Sequence, residues 1–180
     1  MTTTTRRTKD MVLIALFAAT IAICAWISIP TTVPFTMQTF GVFLALGVLG
    51  GRRGGLAVCV YLLLGAVGAP VFAGGNAGIG ALFGSTGGYM LSWLAAAAVM
   101  GAMEAALGRK TWVLALAMVL GLALCYALGT AWFMAVYARS TGPIGLWTAL
   151  GWCVFPFILP DLGKIALALA VWKRLAPFAD

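Results

Sequence analysis

The chain has 180 residues, 63% of them hydrophobic and only 8% charged. An ordinary soluble domain carries about 25% charged residues, so the polar surface here is too small to cover a globule in water. A mean hydropathy of +1.08 makes lipid the better solvent. The net charge of +7 does not read as a nucleic-acid signal. The basic residues come in pairs between apolar stretches, with no long basic face to neutralise phosphates.

The first apolar run covers residues 11–29 and ends at Pro30. It follows Arg6, Arg7 and Lys9, as the core of a signal peptide would. Further apolar segments come after it, which favours a retained first helix behind a basic cytoplasmic segment, 1–10. Small residues recur in it at four-residue spacing, Ala15 with Ala19 and Ala18 with Ala22. Such patterns let two helices approach closely, and spacing leaves open whether the partner helix lies in this chain or in another protein.

A second uncharged run, 35–51, ends at Arg52 and Arg53, and a third covers 54–72. The stretch GGNAGIGALFGSTGG at 74–88 is predicted to be an irregular, close-packed outer loop. It is not a phosphate-binding loop, because no strand precedes it and no lysine follows its glycines. Tyr89 follows the loop, either stacking on a flat ligand or sitting in an interfacial aromatic belt. A fourth run, 87–107, contains only Glu104, one turn before Arg109, and reads as interfacial there. A fifth runs from 111 to 137. Residues 143–172 are too long for one upright span, and Pro156 and Pro160 divide them into an outer segment and a final helix near 157–172.

A bilayer span needs about 20 residues, so six spans use nearly the whole chain as a single transmembrane domain. Six also partition the charges best. The N-terminus, the 52–53 and 109–110 turns and the C-terminus then share one side with nine basic residues, against Arg139 alone opposite. The positive-inside rule puts that side, and both termini, in the cytoplasm. The three outer connections are rich in Pro, Gly, Thr and Ser, with Gln38 and Asn76 nearby. Irregular backbone at membrane depth must be buried in protein or line a cavity, so an outward-facing pocket is predicted. No space remains for a nucleotidase; an energy source is an ion gradient or another polypeptide.

Asp161 and Lys164 are the polar residues that matter most. Three apart on the last helix, they share a face. Lys164 lies nine residues before Lys173, roughly 14 Å inside the cytoplasmic boundary at ~1.5 Å per residue. A lone Asp or Lys at a helix centre costs ~2.5–3.5 kcal/mol on insertion scales. Either a ligand needs them or they form a structural ion pair. There is no histidine, and Cys24, Cys59, Cys125 and Cys153 lie in four different apolar stretches. Metal, redox and hydrolase chemistry therefore lack their usual residues, and no catalytic residue is predicted.

Five strings, spread over nearly the whole chain, carry a family resemblance. They are PFTMQTF at 34–40, YLLLGAVGAPVFAGG at 61–75, GSTGGYM at 84–90, GTAWF at 129–133 and PFILPDLGKI at 156–165. With them the chain resembles the BioY family, the biotin-binding S components of energy-coupling-factor vitamin transporters. The resemblance implies an all-α protein of six transmembrane helices in a bacterial or archaeal plasma membrane. It implies biotin captured at the outer face and no cofactor of the chain's own. It also implies a transmembrane T subunit and two ATPase subunits as partners, ATP being used only there, although some members work without a dedicated module. The family's ligand contacts match Asp161, Lys164 and Asn76, and Tyr89 and Gln38 join them as candidates. The family's contact with the T subunit matches Ala15, Ala18, Ala19 and Ala22. Two positions depart from the pattern: Ser85 stands where Pro is usual, and 86–103 lacks a basic residue seen in some relatives. An S component for another vitamin, or a structural membrane protein, are the alternative readings.

Overall fold

In a computed structural model, residues 3–30 and 33–179 are described. Two positions of the predicted basic segment, Met1 and Thr2, lie outside them, as do Thr31 and Thr32 of the first outer connection. Seven α-helices carry the fold: α1 Thr3–Trp26, α2 Gln38–Ala66, α3 Ile79–Leu82, α4 Gly87–Leu107, α5 Thr111–Ser140, α6 Leu146–Cys153 and α7 Ile158–Ala179. Two short strands, β1 Ser28–Ile29 and β2 Phe35–Thr36, pair antiparallel between α1 and α2. α1 starts earlier than its apolar run, so the basic residues from Arg6 to Lys9 ride on the helix rather than precede it.

Four helices are long and apolar enough to cross a membrane, or five if α6 and α7 form one broken span bent by 44°. The chain is thus a multi-pass membrane protein. Its surface agrees, since Val67, Trp147 and Leu159 are each more than 75% exposed. Apolar side chains displayed this widely suit contact with lipid.

That count treats α2 as one rod, but α2 folds back on itself. Gly50 has φ 82° and ψ 166°, a conformation that only glycine adopts without strain. Beyond it, a Cβ built on Gly54 would lie 2.7 Å from the Leu46 Cα and 2.8 Å from the Ala45 carbonyl oxygen. In a straight helix, eight residues span about 12 Å. Arms 38–49 and 51–66 therefore run side by side, and the turn falls where Arg52 and Arg53 ended the second apolar run.

A polar clasp closes this turn. The Glu104 carboxylate accepts the Gly51 N–H at 2.8 Å and pairs with Arg109 Nε at 3.2 Å. Arg109 donates in turn to the Gly47 and Val48 carbonyls. One carboxylate and one guanidinium thus satisfy orphan groups at the start of one arm and the end of the other. Glu104 is more than the interfacial residue its position suggested. Nearby, Arg53 bonds Asp10 at 2.8 Å, so α1's basic start, the Gly50 turn and the 108–110 turn share one end of the molecule.

Helices pack closely where glycine admits a neighbour. Gly51 abuts the Gly101 backbone and Gly41 abuts Ile21 and Cys24, binding α2 to α4 and to α1. The core is centred on Phe43, Tyr61, Phe72 and Met100, each at most 2% exposed. The glycine-rich stretch is irregular as predicted, a 3₁₀ turn at Ala73–Gly75 followed by the single-turn α3.

Candidate functional site

A cavity of about 340 Å³ lies between β2, α2, the glycine-rich loop, α4, α5 and the start of α7. That volume falls at the small end of the ~300–1,000 Å³ typical of small-molecule sites. Its floor is polar. Asp161 and Lys164 both line it, 4% and 6% exposed, and pair at 2.8 Å. The predicted three-residue spacing is what allows this contact.

Each charge has further partners. Lys164 Nζ donates to the Thr36 carbonyl at 2.7 Å and lies 4.2 Å from the centre of the Phe35 ring. The Tyr126 hydroxyl donates to Asp161 Oδ2 at 2.7 Å. The β1–β2 ribbon makes the first set possible, because pairing Ser28 with Thr36 fixes Phe35 and Thr36 beside α7. Asp161 sits in the first turn of α7, where free N–H groups and the helix dipole favour a carboxylate. Pro160 is tolerated there for the related reason that a first turn needs no internal donor.

The remaining candidates divide by depth. Gln38 is buried at 5%, takes the Thr36 hydroxyl on its Oε1 and donates to the Tyr61 hydroxyl. Tyr89 lines the wall rather than the bilayer surface, its hydroxyl 2.9 Å from Thr130 Oγ1 and its ring packed on Gly129. Any side chain at Gly129 would take the ring's place. Asn76 lies at the exposed mouth, its amide donating to the Ala73 carbonyl at 2.9 Å. Its Oδ1 has no protein partner among the described residues. All five predicted contact residues thus line one cavity.

The four alanines of α1 differ in exposure. Ala18 is 2% exposed and packs in the core, and Ala22 is partly buried against it. Ala15 and Ala19 face outward. Ala18 thus already has neighbours in its own chain.

Three contributors escaped the sequence reading. Tyr126 could have been found as a tyrosine in mid-span, since a buried phenol seeks a partner. Trp93, 6% exposed, lies against Tyr61 with ring centroids 6.4 Å apart and lines the cavity. The Thr36 carbonyl carries no sequence signal at all.

Chemically, the cavity offers a carboxylate with spare acceptor sites at its floor, aromatic walls, and hydroxyl and amide groups at its mouth. It suits a flat, partly apolar molecule whose inner end donates hydrogen bonds. Fold and cavity together define a multi-pass membrane protein with an internal cavity of small-molecule size.

The comparisons narrow that class. The family model of the BioY family matches residues 1–180, and the chain belongs to that family. The biotin transporter BioY of Thermotoga maritima is 39% identical over 168 residues, 93% of this chain and 95% of that protein. The biotin transporter BioY of Rhodobacter capsulatus is 38% identical, the match covering 94% of each chain. The probable biotin transporter BioY of Pyrococcus horikoshii is 39% identical, covering 94% and 97%. The crystal structure of the S-component for biotin from an ECF-type ABC transporter superposes with a TM-score of 0.85. It is 27% identical, covering 97% of this chain and 94% of that one.

Proposed function

We propose that the chain is the biotin-capturing membrane subunit of an uptake system, without catalytic activity or a cofactor of its own. The observation that carries this reading is the buried Asp161–Lys164 pair at the floor of an aromatic-walled cavity, in a chain of the BioY family. Biotin presents a planar ureido group with two N–H donors and a carbonyl, fused to an apolar ring that carries an aliphatic acid. Asp161 can accept from ureido N–H groups, and such charge-assisted bonds are the stronger kind. Lys164 holds that carboxylate in place, and Tyr89 and Trp93 cover the rings. Gln38 acts indirectly, by holding Thr36 and Tyr61. At the mouth, Asn76 closes over the ligand.

Melting of the purified protein tests the ligand. Biotin at 100 times its dissociation constant should add about 2.7 kcal/mol of stability. Thiamine, riboflavin and folate should add nothing. A shift with one of these and not with biotin would overturn the assignment.

The same reading sets the topology. With the arms of α2 counted separately and α6–α7 as one broken span, the chain crosses the membrane six times as one domain. The end that carries Arg53 and Arg109 faces the cytoplasm of a bacterial or archaeal cell, and the cavity opens outward through the plasma membrane's outer face. Reporter fusions at residue 180 and within the 52–53 turn should both give cytoplasmic signals; an exported signal at either site overturns this orientation. A T subunit docks on the outward alanines of α1, and ATP is consumed only by ATPase subunits attached to it.

A further inference from the structure

The only charged side chains lining the cavity, among the described residues, are Asp161 and Lys164. They neutralise one another at 2.8 Å. An ammonium has three N–H donors. Two of those of Lys164 are engaged by Asp161 and the Thr36 carbonyl, and the Phe35 ring covers the charge from 4.2 Å. The floor therefore holds no spare cation. A ligand carboxylate brought to Lys164 would share that one cation with Asp161, and like charges in one buried site oppose each other.

The mouth is different. Asn76 is exposed, and Ser85 and Thr86 are half-buried and line the cavity. Among the described residues, the Ser85 and Thr86 hydroxyls have no protein partner, and neither has Asn76 Oδ1. These groups are neutral, and water reaches them. A carboxylate left there keeps its hydration, and an amide or ester is accepted equally well.

We infer that this site recognises the neutral ring end of its ligand and leaves the acid end unread at the mouth, so that derivatives of biotin neutralised or extended at the carboxyl are also ligands. The inference rests on the proposed biotin reading. It extends the ligand class to ureido-ring compounds with ester, amide or lysyl-amide tails.

Competition against labelled biotin on the purified chain tests it, with biotin methyl ester, the primary amide and the amide to the lysine ε-amine as competitors. Each should bind within about fivefold of biotin, the scale of a weak exposed contact. A loss of about 30-fold or more for both the ester and the primary amide would equal a lost charge-assisted hydrogen bond and overturn the inference alone. Failure of biotin itself to bind overturns the biotin reading, and this inference with it. A charge probe at the mouth gives a second measure. Ser85→Asp should weaken biotin about two- to fivefold more than it weakens the ester, through repulsion of the ligand's carboxylate. Equal effects on the two would place the acid end elsewhere and overturn the inference.

Discussion

Lys164→Met should abolish high-affinity biotin binding and destabilise the protein by about 3–5 kcal/mol, because it strands the carboxylate of Asp161 in the membrane interior. Asp161 is 4% exposed, and among the described residues only the Tyr126 hydroxyl at 2.7 Å would remain as a side-chain hydrogen-bond partner. Asp161→Asn keeps the side chain's size but turns an acceptor into a weaker, neutral one. It should lower biotin affinity by about 2–3 kcal/mol, the value of a hydrogen bond to a charged group plus an unsatisfied partner. The double variant separates two roles. If the charges exist only to pair, removing both restores stability and leaves biotin affinity intact. If the carboxylate receives the ureido N–H groups, the double variant melts like the parent yet does not hold biotin. Calorimetric titration of the four proteins, with melting curves alongside, reads both quantities. A double variant that binds biotin like the parent would refute the binding role.

The lone-pair count favours binding. A carboxylate has about four acceptor sites. Lys164 uses one on Oδ1 and Tyr126 one on Oδ2. The remaining capacity belongs to a side chain that lines the cavity. That capacity is what the proposed ureido N–H groups would use.

The sequence disclosed this pair because charge in an apolar helix is rare and three-residue spacing is geometric. It disclosed the Gly50 turn for a similar reason, since Arg52 and Arg53 cannot lie mid-bilayer. The fourth run, 87–107, coincides with α4 to the residue. Apart from Tyr126 and Trp93, what stayed hidden has no local signature. The partner of Lys164 is a backbone carbonyl, 128 positions away in the chain. The seat of Tyr89 is Gly129, one of 23 glycines, and nothing local distinguishes it. Glu104 read only as an interfacial residue one turn before Arg109; the clasp stayed hidden because its targets, Gly51, Gly47 and Val48, are again main chain.

The alanines of α1 show the same limit, and they yield the last expected result. Four-residue spacing is satisfied by Ala15 with Ala19 and by Ala18 with Ala22 alike. At about 100° per residue all four fall within one arc of about 100°, so spacing alone does not separate them and burial does. Ala18 is 2% exposed, enclosed with Phe17 and Ile21 in the core. Ala18→Trp should overpack that contact, lower the melting temperature and cost about 1–3 kcal/mol or more. Ala19 points away from the core, and with Ala15 it leaves a shallow outer stripe one turn long. Ala19→Trp should leave the isolated chain's stability and biotin affinity near those of the parent. It should nonetheless prevent co-purification with a T subunit, because a bulky ring holds apart two helices that must approach closely. Co-expression of the chain with a T subunit and its ATPases, followed by affinity capture, measures the assembly directly. Intact assembly of the Ala19→Trp variant would move the docking surface off this stripe. Loss of biotin binding in the same variant would instead show that α1 shapes the cavity from outside.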